Sequence, residues 1–145
     1  MIAVARTLAA RAAVLSTVLT GVVTAVSLAV VATRVRRVQV SGESMRPALL
    51  DGDRLIVWRT RRLREGQVAA LRDPRRPNRI IVKRVTAVMP PSGRRTASVI
   101  VHGDNPDAST DSRAFGPVDA HLVLGKVVYR YHPPERTGRI EARPV

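Results

Sequence analysis

Residues 12–33 read AAVLSTVLTGVVTAVSLAVVAT, a run of 22 residues without a charged side chain. An α-helix rises about 1.5 Å per residue, so about 20 residues cross the roughly 30 Å hydrocarbon core of a bilayer. Backbone polar groups in lipid must be hydrogen-bonded within the segment, which requires a helix. The run therefore predicts one transmembrane helix, preceded by a short cytoplasmic segment over residues 1–11.

A cleaved secretory signal is the alternative interpretation of this run. Arg6 and Arg11 provide the basic start of such a signal, and the small residues could suit cleavage. The apolar run is longer than a usual signal core, however, and three arginines between residues 34 and 37 follow it as a basic stop. An uncleaved anchor is therefore favoured. Basic residues flank both ends, so charge alone does not fix the orientation.

After the apolar run the pattern becomes β-like. Short β-branched runs alternate with turn signals, as in Leu55-Ile56-Val57, Asp51-Gly52-Asp53, Ile80-Ile81-Val82 and Gly103-Asp104-Asn105-Pro106. Many short strands with frequent turns are typical of all-β barrels or sandwiches. We therefore predict a mostly β domain over residues 34–132. Residues 133–145 are rich in Pro, Arg and Glu, and we expect a disordered tail there.

Composition excludes several kinds of chemistry. The chain has no cysteine, which rules out disulfides, thiolate zinc sites and cysteine nucleophiles. Its three histidines, at positions 102, 121 and 132, do not have a metal-binding spacing, so we expect no metal and no cofactor. The net charge of +14 favours anionic partners, and we expect membrane lipids. Aromatic residues make up only 3%, too few for stacking on single-stranded nucleic acid, so no nucleic-acid partner is expected.

Ser44 lies in a segment with turn character. The segment Ser41-Gly42-Glu43-Ser44-Met45-Arg46-Pro47 follows the predicted strand Val38–Val40. A glycine-containing turn would present Ser44 at a bend, and Pro47 stiffens the chain just beyond it. Local chemistry alone does not separate a nucleophile from an ordinary loop serine.

Lys83 is unusual because nearly all the basic residues of this chain are arginines. Only two of the 25 basic residues are lysines, and Lys83 ends the apolar run Ile80-Ile81-Val82. Arginine stays protonated and cannot act as a base, whereas burial can lower the pKa of a lysine by up to about 3–5 units. The amine of Lys83 could therefore act as a general base. The alternative is that Lys83 points outward, as every second strand residue does.

A set of motifs in fixed order resembles the type I signal peptidase family. The motifs are Ser44-Met45-x-Pro47, Asp51-Gly52-Asp53, Val82-Lys83-Arg84-Val85, Gly103-Asp104-Asn105 and Ser109-x-Asp111-Ser112-Arg113. The resemblance covers about residues 38–130. It implies a signal-peptidase-like β-barrel catalytic core with a Ser–Lys dyad. It also implies anchoring in the plasma membrane by one helix, with the catalytic domain on the extracytoplasmic face.

The resemblance also assigns roles to residues. Ser44 would be the nucleophile, Lys83 the general base and Ser109 the residue that orients the Lys83 amine. The Ser44 backbone N–H, Gly42 and Met45 would form the oxyanion hole and the site wall. Some family members have a hydroxyl residue where this chain has Gly42. Ion pairs among Arg84, Asp104, Asp111 and Arg113 would hold the loops. The strands around Gln39–Glu43 and Arg79–Lys83 would bind the peptide; their residues include Gln39, Val40, Ser41, Gly42, Glu43, Ile81 and Val82.

The substrates implied are preproteins with signal peptides, cleaved after small residues at Ala-x-Ala sites. Only 19 residues separate Lys83 from Gly103, where larger family members insert a β-domain, so the chain resembles a minimal form. Two alternatives stay open. Residues 103–118 also resemble maturation proteases of nickel-containing superoxide dismutase, and the arginine excess would suit a non-catalytic, membrane-tethered binding protein. The sequence gives no indication of the oligomeric state.

Overall fold

The computed structural model describes the backbone of residues 2–93 and 96–144, and the side chains of these ranges from residue 16 onward. The chain divides into two compact units, residues 1–34 and residues 35–145. The first unit is a single helix, α1 (Ile2–Arg34), which begins ten residues before the predicted segment. Ala and Leu are frequent between residues 2 and 11, and both favour helix.

The helix contains a stretch that is long and apolar enough to cross a membrane. This stretch runs from Ser16 to Arg34, with a mean hydropathy of 1.9, and its side chains are not buried. The helix is apolar around most of its circumference, which suits a lipid environment better than packing on one face. The structure therefore agrees with the prediction of one N-terminal helix that is long and apolar enough to span a membrane.

The second unit is one antiparallel sheet. Its strands are β1 (Val35–Gln39), β2 (Arg54–Trp58), β3 (Val68–Asp73), β4 (Arg76–Met89), β5 (Ser98–His102), β6 (Val118–Asp119), β7 (Val123–His132) and β8 (Gly138–Arg139). Hydrogen-bonded neighbours follow the order β1-β2-β7-β3-β4-β5-β6, and β8 pairs with β7. A one-turn helix, α2 (Ser112–Phe115), lies between β5 and β6. The prediction of a mostly β domain behind one apolar helix is confirmed.

The central strand β3 separates two hydrophobic clusters. Alternate residues of a strand point to opposite faces, so Val68 and Ala70 join one cluster while Ala69 and Leu71 join the other. The first cluster also holds Val40, Met45, Leu49, Leu55, Val57, Val82 and Val127. The second also holds Leu63, Ile81, Val85, Val99, Val101, Val118 and Val123. Strand β4 lies beside β3 and places its middle residues against this core.

Strand β4 is long enough to pair with two neighbouring strands. Its residues 80–84 pair with β3, and its residues from Arg84 to Met89 pair with β5. On the side away from β3, the residues before Arg84 have no strand partner in the described ranges. Within the described part of the chain, strand β1 pairs with β2 and with no other strand. Among the described residues, two strand edges are therefore open: one edge of β1 and one edge of the first half of β4.

The tail was predicted to be disordered, and this prediction is wrong for residues 133–144. A 3₁₀ turn (Pro134–Arg136) and β8 follow β7, and Ile140 packs against the first core cluster. Arg136 contacts the buried carboxylate of Asp53 at 3.1 Å, and the Arg143 N–H donates to the Gly66 carbonyl at 3.2 Å. Composition missed these contacts because one apolar anchor and one buried acid are enough to order a short polar segment.

Candidate active site

Ser44 lies in a loop whose two ends are joined by backbone hydrogen bonds. The Val40 N–H donates to the Asp53 carbonyl at 2.8 Å, and the Gly52 N–H donates to the Val40 carbonyl at 3.0 Å. Within this loop the Gly42 N–H donates to the Asp51 carboxylate at 2.7 Å. The Asp51-Gly52-Asp53 turn thus fixes the segment that carries Ser44, which is half-buried.

Gly42 has a backbone conformation that explains why this position holds glycine. Its φ is +87°, in the left-handed region that residues with a Cβ rarely adopt. A Cβ added there would meet nothing within 4 Å, so the constraint is conformational and not steric. Its N–H is already bonded to Asp51, so Gly42 contributes to the site as part of the wall.

Lys83 is buried in the middle of β4, with only 3% of its surface exposed. It faces the sheet interior beside Ala69 of β3, its register partner. Its amine donates to the Ser109 hydroxyl at 2.9 Å. Of the two orientations left open for this lysine, the structure shows the buried one.

The Ser109 hydroxyl connects Lys83 to a carboxylate. It donates to Asp111 at 2.6 Å, and because it has a single proton, it can only accept from the Lys83 amine. Neutral Lys83 therefore directs one N–H at Ser109, which leaves its lone pair free to take a proton from another group. This polarity is the one that a lysine base requires.

Asp111 holds this network in place because it accepts several hydrogen bonds. It is 1% exposed and accepts from the Gly103 N–H at 2.9 Å and from the Arg113 side chain at 2.6 Å and 2.9 Å. Burial by itself would raise the pKa of the Asp111 carboxyl, but the hydrogen bonds from Arg113, Ser109 and Gly103 outweigh it and hold the pKa well below the ordinary value. The carboxylate stays ionised and keeps Ser109 as a donor.

The surroundings of Lys83 also lower the pKa of its own amine, to about 8. Burial is the largest cause, because it disfavours the charged form. The Asp111 charge acts in the opposite direction, and the arginines at positions 79 and 113 add to the lowering. At mildly alkaline pH much of the lysine is therefore neutral and able to act as a base.

Besides the pair between Asp111 and Arg113, a second ion pair stabilises the loop behind the site. The Arg84 guanidinium binds the Asp104 carboxylate through two bonds, at 2.7 Å and 2.6 Å, and donates to the Gly66 carbonyl at 2.7 Å. Arg84 follows Lys83 on β4, and Asp104 follows Gly103. The pair therefore ties the strand of Lys83 to the loop that leads to Ser109.

Gly103 brings the serine loop and the Ser109 loop together. A Cβ added to Gly103 would lie 2.3 Å from the Ser109 hydroxyl oxygen and 2.5 Å from the Ser44 carbonyl oxygen. The Asn105 N–H donates to that same Ser44 carbonyl at 3.0 Å. Residues 44 and 109, which are 65 positions apart in sequence, are thus held on either side of one glycine.

One cleft joins most of the residues to which the resemblance assigns a role. Its volume is about 140 Å³. It is lined by Gln39, Val40, Ser41, Gly42, Glu43, Ser44, Met45, Ile81, Val82 and Lys83. Ser109 lies behind this surface and reaches it through Lys83, and the two ion pairs lie outside it.

Four residues that line the cleft have no role assigned from the sequence: Asp73, Arg75, Ala108 and Thr110. Asp73 is 2% exposed and begins the turn between β3 and β4. Arg79 belongs to the predicted peptide-binding strand Arg79–Lys83, and the structure places it in the lining of the cleft.

The comparison with known proteins agrees with this geometry. The model of the signal peptidase family, peptidase S26, matches residues 11–92 and 95–132, most of the chain. The chain belongs to the signal peptidase family. The chain is 37% identical to mitochondrial ATP-independent inner membrane protease subunit 1a of Arabidopsis thaliana, and the alignment covers 70% of this chain and 73% of the relative.

Two further relatives have similar names. Mitochondrial inner membrane protease subunit 2 of Schizosaccharomyces pombe is 34% identical, covering 70% of this chain and 67% of the relative. Mitochondrial inner membrane protease subunit 1 of Xenopus tropicalis is 32% identical, covering 72% of this chain and 73% of the relative. The predicted family is confirmed, and with it a membrane protease of the kind that removes signal peptides.

Proposed function

We propose that this signal peptidase is a serine endopeptidase that cleaves N-terminal signal peptides from exported preproteins after small residues, with Ser44 as nucleophile and Lys83 as general base. One observation supports the dyad above all. The buried Lys83 amine, with its lowered pKa, lines the same cleft as Ser44 and is oriented from behind by Ser109.

The reaction would proceed in two stages. Neutral Lys83 accepts the hydroxyl proton of Ser44 while the Ser44 oxygen attacks the scissile carbonyl carbon. The protonated amine then donates this proton to the leaving nitrogen as the C–N bond breaks, which leaves an acyl-enzyme. Lys83 next takes a proton from a water molecule while the water oxygen attacks the acyl carbon. The bond between this carbon and the Ser44 oxygen then breaks, and Lys83 returns the proton to the Ser44 oxygen.

The oxyanion formed in each stage needs hydrogen-bond donors. The backbone N–H of Ser44 has no partner among the residues that the structure describes, so it is free to donate. The Gly42 N–H is not free, because it is bonded to Asp51. Removing one donor of an oxyanion hole typically costs about 10²–10³ in rate, so the Ser44 N–H is an important part of the site in this mechanism.

The substrate would bind as an added strand. The segment from Gln39 to Glu43 and the residues before Lys83 on β4 both line the cleft, and both edges lack a strand partner in the described ranges. An extended peptide placed along these edges would gain backbone hydrogen bonds. The small cleft, walled by Met45, Ile81 and Val82, suits alanine at the first and third positions before the cut.

The location we propose is the plasma membrane, crossed once at residues 12–33, with residues 1–11 in the cytoplasm and the peptidase domain on the extracytoplasmic face. The apolar helix and the inner membrane relatives support a membrane location. The positive charge of the chain would favour anionic lipids. Protease added to intact cells should digest the catalytic domain, and a domain protected until the cells are lysed would contradict this orientation.

The test of the activity is cleavage of a preprotein with an Ala-x-Ala site by the full chain in detergent. Ser44→Ala and Lys83→Ala should both abolish cleavage, while the exposed Ser92→Ala and the partly exposed Lys126→Ala serve as matched controls and should cleave normally. Cleavage undiminished in Ser44→Ala or Lys83→Ala would rule out the dyad. A parallel substrate with the N-terminal extension of a nickel-containing superoxide dismutase tests the dedicated role, which preferential cleavage of that substrate would favour.

A further inference from the structure

The cleft contains more charge than the proposed reaction uses. Apart from Lys83, four charged side chains line it: Glu43, Asp73, Arg75 and Arg79. Ion pairs already account for three of them. Glu43 lies 3.1 Å from Arg46. Asp73 lies 3.8 Å from Arg75, whose guanidinium also stacks over the Phe115 ring at 5.7 Å.

Arg79 is the remaining charge. Its side chain has no hydrogen bond or ion pair with the residues that the structure describes, and it is exposed at the cleft. It lies four positions before Lys83 on β4, and both residues line the same cleft. The Arg79 charge also helps to lower the pKa of the Lys83 amine, so the two cations act on the same region.

We propose that Arg79 is a specificity-determining residue that selects substrates with an acidic side chain near the cleavage site. This proposal rests on the proposed function, since it assumes that the substrate lies along β4. A strand rises roughly 3.3 Å per residue, so Arg79 is roughly 13 Å from Lys83 along β4. An extended substrate would meet it roughly three to four residues from the bond that is cut.

The geometry determines the size of the effect. Arg79 is open to solvent, so its attraction for a carboxylate is screened and modest. We expect roughly a three- to fivefold higher kcat/KM for a peptide with Asp at that position than for its Asn counterpart. The preference should weaken as salt rises, because screening acts on exposed charges.

The experiment is an Asp scan of a model signal-peptide substrate, placing Asp or Asn at each of the five positions on either side of the cut. The readout is the ratio of kcat/KM for the Asp and Asn peptides, measured with the full chain in detergent well above pH 8. At this pH the Lys83 amine is neutral in the wild type and in the Arg79 variants. Any change in the strength of the base affects the Asp and Asn peptides equally, so it cancels in the ratio.

Arg79→Gln should bring this ratio to about one, and Arg79→Lys should keep it above one. Arg76→Gln is the matched control, since Arg76 is an exposed arginine of the same strand that does not line the cleft. A ratio near one at every position in the wild type, or a preference that survives in Arg79→Gln, would overturn this proposal. Ser44-dependent cleavage of the Asn peptides would in either case leave the proposed function standing.

Discussion

The Ser109 hydroxyl donates to Asp111 across 2.6 Å, and this bond fixes the role that Ser109 plays toward Lys83. Because its one proton goes to the carboxylate, Ser109 can only accept from the lysine amine, 2.9 Å away. The Asp111 carboxylate thus sets the direction of the Lys83 lone pair through two successive hydrogen bonds.

Replacing Ser109 by alanine should lower kcat/KM by roughly 10²-fold, because the amine loses the partner that orients it. KM should change little, since Ser109 does not line the cleft. The control is Ser112→Ala, which removes a hydroxyl that accepts from the Val101 N–H at 3.0 Å and does not touch Lys83. The prediction is wrong if both alanine variants lose activity equally at equal thermal stability.

The pH dependence of the reaction should follow Lys83. In the proposed mechanism the Lys83 amine must be neutral, and its pKa is lowered from 10.5 to about 8, so kcat/KM should rise as the pH rises through about 8 and then level off. Asp111→Asn removes a charge that raises this pKa, so the rising limb should move to lower pH. Asp104→Asn, which loses the Arg84 partner instead, should leave the limb in place. A limb that does not move in Asp111→Asn would contradict the network.

The burial of Lys83 should also cost stability. Its folded pKa of about 8 lies below the unfolded value of 10.5, so the folded state disfavours the charged amine. The full cost, about 3 kcal/mol by the size of the shift, applies below pH 8 and disappears as the pH rises toward 10.5. Lys83→Met should therefore unfold at a higher temperature than the wild type at pH 7 and lose this advantage near pH 10.

Lys126→Met is the control for this stability change. Lys126 is the other lysine of the chain and is partly exposed on β7, so its replacement should have a small effect that is similar at both pH values. A Lys83→Met gain that is absent at pH 7, or equally large at pH 10, would show that burial of the charge is not its cause.

Gly42 should tolerate no side chain without loss of stability. Its φ of +87° costs a residue with a Cβ about 1–2 kcal/mol, so Gly42→Ala should lower the free energy of unfolding by that amount. Gly138→Ala is the matched control, because its added Cβ also meets open space while its φ is not in the left-handed region. Equal effects of the two changes in denaturant unfolding would remove the conformational argument.

The tail should contribute to the stability of the domain. Asp53 is 1% exposed and is flanked by Arg130 at 3.2 Å and Arg136 at 3.1 Å. Arg136→Gln leaves this carboxylate with one cation and should lower the free energy of unfolding by about 1–3 kcal/mol. Arg139→Gln, at an exposed position of β8, should change it little. An unchanged free energy of unfolding in Arg136→Gln would show that the contact between Arg136 and Asp53 does not stabilise the domain.

Local pattern determined much of the architecture. The apolar run of residues 12–33 predicted the helix because a bilayer span has a fixed length, and the β-branched runs with turn residues predicted the sheet. The order of the motifs identified the family. These features depend on residues close together in sequence, so the sequence displays them directly.

The tertiary structure decided what depends on distant contacts. Local chemistry left open whether Lys83 pointed inward, and the bond to Ser109, 26 residues away, shows that it does. The order of the tail follows from Asp53, more than 80 residues earlier in the chain. Only the structure shows that Glu43, Asp73 and Arg75 are paired while the Arg79 side chain has no partner among the described residues. Such facts follow from the register of the sheet and the burial it imposes, which no short stretch of sequence encodes by itself.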